Sequence, residues 1–147
     1  GSFADNHPGH QLFETIDLNG LPQTLWPVHC VEQTDGAELA ADLDTDRITR
    51  TFRKGTNPEI DSYSGLHDNG RRQSTGLGEW LHAQGVREVT VCGLATDYCV
   101  KFTALDALHD GFMVTLHLPA CRGVNLTAGD VDAAVAEMER AGVTIER

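Results

Sequence analysis

The chain has 147 residues, 40% hydrophobic and 22% charged, the composition of a globular domain with enough length to bury a core. Eleven Lys and Arg against 22 Asp and Glu leave a formal charge of -11, which opposes a nucleic-acid backbone or an anionic lipid surface and argues against both as partners. No apolar run is long enough to span a membrane, and the opening GSFADNHPGH lacks the basic and apolar regions of a secretory signal.

In chain order, residues 1–46 are punctuated by Asn19-Gly20, Pro8, Pro22 and Pro27 and read as mostly loop, with LFETIDL as the one strand. So long an irregular stretch inside a compact domain points to a binding or active-site loop. RITRTF (47–52) reads as a strand ending at RKG, and GLGEWLHAQG (76–85) as a short helix. VREVTVCGL (86–94) is Val-rich and almost continuously apolar, the pattern of a strand covered on both faces. TDYCVKFTALDALHDG (96–111) sets Cys99, Val100, Ala104, Ala107 and Leu108 at helical spacing, with a Thr or Asp to cap its start and Gly111 its end. FMVTLHL (112–118) reads as a strand, TAGDVDAAVAEMERAG (127–142) as a helix with Val131, Ala134, Val135 and Met138 on one face, and VTIE (143–146) as a last short strand. Strand, helix, strand, helix, strand predicts a single α/β domain over 1–147, its mostly parallel sheet joined by right-handed crossovers.

Ligands of such sheets bind beyond the carboxyl ends of the strands, and Cys99 falls in the first helical turn after one of them. A helix start favours the thiolate and presents free N–H groups to an oxyanion, so Cys99 reads as a nucleophile, whereas mid-strand Cys92 reads as a buried, inert thiol. Lys54, in FRKG, is by itself a surface charge; at the same sheet end as Cys99 its ammonium would stabilise a thiolate and a developing oxyanion. His29, in LWPVHC, is a candidate metal ligand, with packing as the plain alternative. His7 and His10 are too weakly patterned to form a site, and His67, His82, His109 and His117 read as surface or packing residues. Trp26, Tyr63 and Tyr98 would wall a flat aromatic pocket or pack a core. Four cysteines, Cys30, Cys92, Cys99 and Cys121, without a CxxC pair suggest a reducing, cytoplasmic setting.

LWPVHC, FRKG followed by DSYSG (61–65), and GLATDYCV (93–100), in that order and spacing, resemble the nicotinamidase branch of the isochorismatase-like cysteine hydrolases. The resemblance extends to SFADNHPGH and LNGLPQTLWP and so covers essentially the whole chain. It implies a three-layer sandwich with helices on both faces of a mostly parallel sheet. It also implies hydrolysis of nicotinamide to nicotinate and ammonia, in NAD salvage, with pyrazinamide as a second substrate. By match, Cys99 is the nucleophile, Lys54 the catalytic lysine, the N–H groups of Ala95 and Cys99 the oxyanion hole, and a cis peptide joins Leu94 to Ala95. Trp26, Tyr63 and Tyr98 would line the pyridine pocket, and His29 would bind a divalent metal: zinc first, or iron or manganese.

The family's aspartate general base and its D-W-H metal-ligand stretch have no match here; Asp97 points along the helix start and Asp61 has no matching role. The expectation is a carboxyl-terminal portion of such an enzyme, with the first strand-helix-strand unit carried by a second chain or otherwise outside these residues. The rivals are another cysteine amidase of the superfamily, for example one acting on a carbamoyl compound, and an inactive fragment or binding module. A thiol redox protein is weaker still, because Cys99 has no resolving cysteine nearby.

Overall fold

Asn19 and Gly20 take positive φ, 53° and 85°, and turn the chain tightly between β1 (Thr15–Leu18) and β2 (Leu21–Thr24). Positive φ at both central residues suits the twist of an antiparallel pair, and Leu18 duly opposes Leu21. The computed structural model describes residues 1–147, and their contacts divide into two compact units, each described by itself.

The first unit holds residues 1–51 and 57–61. Pro22 is accommodated in β2 because a two-stranded sheet has only edges, where a missing N–H costs no ladder bond. Beyond the hairpin, Leu25 donates to the Glu14 carbonyl at 2.8 Å and accepts from Phe13 N–H at 2.7 Å, and its side chain is fully buried. Gln23 is buried beside it, and its amide donates to Thr24 O (2.7 Å) and Asp61 Oδ2 (3.1 Å), so no buried amide proton goes unpaired. Two expectations are corrected here. The region of LFETIDL does contain a strand, but LPQT forms its partner although Pro22 reads as loop. Residues 47–52 form no strand, because RITRTF finds no neighbour to share a ladder with and Ile48 stays exposed.

The second unit, residues 52–56 and 62–147, carries the main core. It comprises α1 (Leu77–Ala83), β3 (Glu88–Leu94), α2 (Lys101–His109), β4 (Met113–Arg122), α3 (Asp130–Ala141) and β5 (Thr144–Glu146). The sheet order is β3-β4-β5, both pairs parallel, with α2 and α3 as the crossovers, so the α/β class and the parallel sheet are as expected. Val100, Ala104 and Ala107 recur at helical spacing on the buried side of α2; Ala134, Val135 and Met138 do the same on α3. All but Ala134 join one core with Val114 and Leu116 of β4 and Phe112 just before it, and Leu116 and Met138 are wholly removed from water. Asp130 and Asp132 in the first turn of α3 complement its positive end, and Gly142, at φ 110°, closes its last turn.

The reading of 86–94 as a strand covered on both faces is corrected: β3 is an edge strand whose alternate residues are exposed, Leu94 at 72%. Cys92 is therefore exposed rather than buried, while Cys121 is the buried thiol. Burial pushes the Cys121 thiol up, and its sulfur lies 3.3 Å from the His117 carbonyl. That contact spans the place where the β3–β4 register slips, from Val91↔Leu116 to Gly93↔Cys121, around Pro119, which has no N–H to give the ladder.

Candidate active site

After Leu94 the chain passes through a cis peptide to Ala95, as the resemblance implies, and enters a π-helical turn, Thr96–Val100, that continues into α2. The Ala95 carbonyl accepts from Tyr98 N–H (3.1 Å) and Val100 N–H (3.0 Å), which winds the turn wide and sets Cys99 on it, partly exposed and in no disulfide.

The side chain expected to cap this helix does something else. Asp97, buried, accepts from the backbone N–H groups of Val124 (2.9 Å) and Asn125 (2.7 Å), anchoring the segment after β4 to the turn that carries the thiol. Gly123 makes the close approach feasible: a methyl group there would meet Asp97 Oδ1 at 3.1 Å and would collide with Val131 Cγ2. Both Asp97 oxygens are thus engaged by backbone N–H groups rather than pointing along the helix start.

Lys54 is brought to Cys99 across 45 residues of sequence. Its Nζ lies 3.4 Å from the Cys99 sulfur and donates to the Ser62 carbonyl at 2.7 Å, so the ammonium is held between a fixed oxygen and the thiol. Beside this pair stands an aromatic group. Tyr63 meets Tyr98 edge to face at 5.5 Å between ring centres and Phe102 at 5.3 Å. Burial pushes the Tyr98 phenol up, with the carboxylates of Asp97 and Asp130 adding to the effect. Phe102, with Lys101 Nζ 4.9 Å above its ring, was not singled out from sequence; its place one turn after Tyr98 on the same helix was the available signal.

Two expected site residues belong to the first unit. Trp26 is buried and packs edge to face on Phe13 at 6.0 Å. His29 is exposed, edge-on to Phe3 at 5.4 Å, with Nδ1 2.7 Å from the Pro27 carbonyl. Donation from Nδ1 fixes the tautomer and leaves the Nε2 lone pair as the ligating position, as in many metal-bound imidazoles. No group of three or more His, Cys, Asp or Glu is placed to hold an ion. No helix is long and apolar enough to cross a membrane.

A model of the isochorismatase domain matches residues 17–147. The chain belongs to the isochorismatase domain family. Over 145 residues it is 50% identical to a nicotinamidase of Escherichia coli, covering 99% of this chain and 68% of the relative. A solved nicotinamidase/pyrazinamidase of Acinetobacter baumanii superposes with a TM-score of 0.95 at 42% identity, over 99% of this chain and 70% of that one. A pyrazinamidase of Pyrococcus horikoshii, solved in complex with zinc, matches with a TM-score of 0.71 at 39% identity, over 84% of this chain and 64% of that one. The isochorismatase-domain chain thus spans about two thirds of the length of the relatives it matches.

Proposed function

We propose that this chain bears the nucleophile of a nicotinamidase, hydrolysing nicotinamide to nicotinate and ammonia and accepting pyrazinamide as well. The observation that carries the reading is the 3.4 Å approach of Lys54 Nζ to Cys99 Sγ beyond the carboxyl end of β3, in a chain half identical to a nicotinamidase. With the Lys54 ammonium beside it, the Cys99 thiolate attacks the carboxamide carbon and forms a C–S bond. Charge passes to the carbonyl oxygen, which the N–H groups of Ala95 and Cys99 receive. Collapse breaks the C–N bond, the departing nitrogen takes a proton and leaves as ammonia, and water then cleaves the thioester to nicotinate and free Cys99. Tyr63 and Tyr98 would hold the flat pyridine ring.

The proton traffic requires a base, and Asp97 is committed to Val124 and Asn125. The base and further metal ligands are then supplied by polypeptide other than residues 1–147, as a second chain or as more of the same one. His29 would contribute one ligand to a divalent ion, zinc before iron or manganese, whose chemistry is to bind the ring nitrogen and order water. The family match runs through both compact units, in support of one hydrolase domain. Four unpaired cysteines support a reducing, cytoplasmic setting. The test is ammonia release from nicotinamide, with mass analysis of the Cys99 peptide after rapid quench. A nicotinoyl adduct lost in Cys99→Ala is the expected result; turnover that survives this substitution overturns the assignment.

A further inference from the structure

The Ser62–Tyr63 peptide unit is held from both sides. Its carbonyl oxygen accepts the Lys54 ammonium at 2.7 Å, and its N–H, on the opposite edge of the same rigid plane, donates to Asn69 Oδ1 at 2.9 Å. Rotation of that plane moves both groups together, so the Asn69 acceptor sets where the oxygen that holds Lys54 points. Asn69 is itself fixed. The preceding Asp68, a buried carboxylate, accepts from the N–H groups of Gly70 (3.1 Å), Arg72 (2.8 Å) and Gln73 (2.9 Å), closing the loop around Asn69. Ser62 Oγ, also buried, reaches the carbonyls of Ser64 (2.9 Å) and His67 (3.0 Å), and Gly65 N–H donates to Thr103 Oγ1 of α2 (2.9 Å). These bonds tie the loop to the helix that follows Cys99.

We propose that Asn69 is a positioning residue for Lys54, acting through the Ser62–Tyr63 peptide plane to hold the ammonium against Cys99. The inference rests on the reading of Lys54 and Cys99 as a reacting pair. Without the Oδ1 acceptor the plane turns, the carbonyl loses its aim, and the ammonium spends less time beside the sulfur. Donation of the N–H to Oδ1 also polarises the peptide and strengthens the oxygen as an acceptor.

The test uses the full chain and iodoacetamide, with alkylation followed by mass on the Cys99 peptide so that exposed Cys30 and Cys92 do not interfere. Asn69→Leu should slow Cys99 alkylation at pH 7 by roughly 3- to 10-fold, and by less than about 2-fold at pH 10, where any thiol ionises. Asn69→Asp, which keeps the acceptor, should restore the rate, and Asn69→Leu should add nothing to Lys54→Met. A wild-type rate in Asn69→Leu, or an equal slowing on top of Lys54→Met, overturns the proposal. If Lys54→Met itself leaves the rate unchanged, the reacting pair falls and this inference with it. Should the Asn69 variants fail to fold, the coupling is read from its other end, because linkage is reciprocal. The Tyr63 amide should then exchange with solvent at least about 3-fold faster in Lys54→Met than in the parent chain, and unchanged exchange overturns the proposal.

Discussion

His67 Nε2 lies 2.8 Å from Asp110 Oδ2, joining the loop that follows Tyr63 to the end of α2. Arg71 binds the other oxygen of Asp110 at 2.9 Å and reaches Asp106 as well, so two side chains of one loop converge on the carboxylates of one helix end.

Burial pushes the Asp110 carboxyl up, but the His67 and Arg71 bonds outweigh it and leave it below its ordinary 3.8. A carboxyl depressed in the folded state contributes stability that is full above its unfolded value and is lost as pH falls through the folded value. Asp110→Asn should therefore be less stable than the parent chain at pH 7, and the two should converge as the pH falls from about 5 to about 2. Urea unfolding at stepped pH measures this. Curves that stay parallel into acid would show that Asp110 contributes by packing alone.

Lys54→Met keeps the length of the side chain and removes the charge beside the sulfur. In the complete enzyme it should lower kcat by about 10²-fold or more, on the scale of losing one stabiliser of transition-state charge. KM for nicotinamide should move little, because the ammonium faces the thiol and the Ser62 carbonyl. Steady-state ammonia release resolves the split, and an effect confined to KM would reassign Lys54 to substrate binding.

Met138 is wholly buried between α3 and the sheet, and its carbonyl accepts from Val143 N–H at 3.0 Å, just before β5. Met138→Ala should cost about 2–5 kcal/mol of unfolding free energy, as for other large-to-small core changes. Equilibrium denaturation decides; a loss under about 1 kcal/mol would mean that the site collapses around the smaller residue.

His29 presents Nε2 with its other nitrogen fixed on Pro27. If it is one of several ligands, His29→Ala should lower zinc affinity of the complete enzyme by more than the roughly 10- to 100-fold seen when a metal ligand's supporting partner is lost. Competition with a chromophoric chelator reads the affinity. An unchanged value would leave His29 with its edge contact to Phe3 and no further role.

Much of the second unit was legible because its signals are local. Val-rich runs, helical spacing in 101–109 and 130–141, and acidic residues at the start of α3 all point the same way. Cys99 was legible from its place after a strand, and Lys54 from the motif around it, although nothing local says that the two meet. What failed depended on partners distant in the chain. RITRTF has strand-like residues but no neighbour, and Pro22 looked like a breaker because its strand's edge position is a tertiary fact. Cys92 was misread because a continuous apolar run cannot show which face of a sheet is covered. Asn69 and Asp68 passed unnoticed for a related reason: a polar loop residue gives no hint in sequence of whose backbone it will hold.

Gly123 has no functional group, yet Asp97 and Val131 leave no room for one there. Any substituent should push the 123–125 segment off Asp97, at about 1–3 kcal/mol for the overpacking, and disturb the turn that carries Cys99. A survey of random variants scored only by turnover would rank position 123 with the nucleophile. Scoring the same variants for abundance would separate them: Cys99→Ala should accumulate as folded, inert protein, whereas Gly123→Val should be depleted.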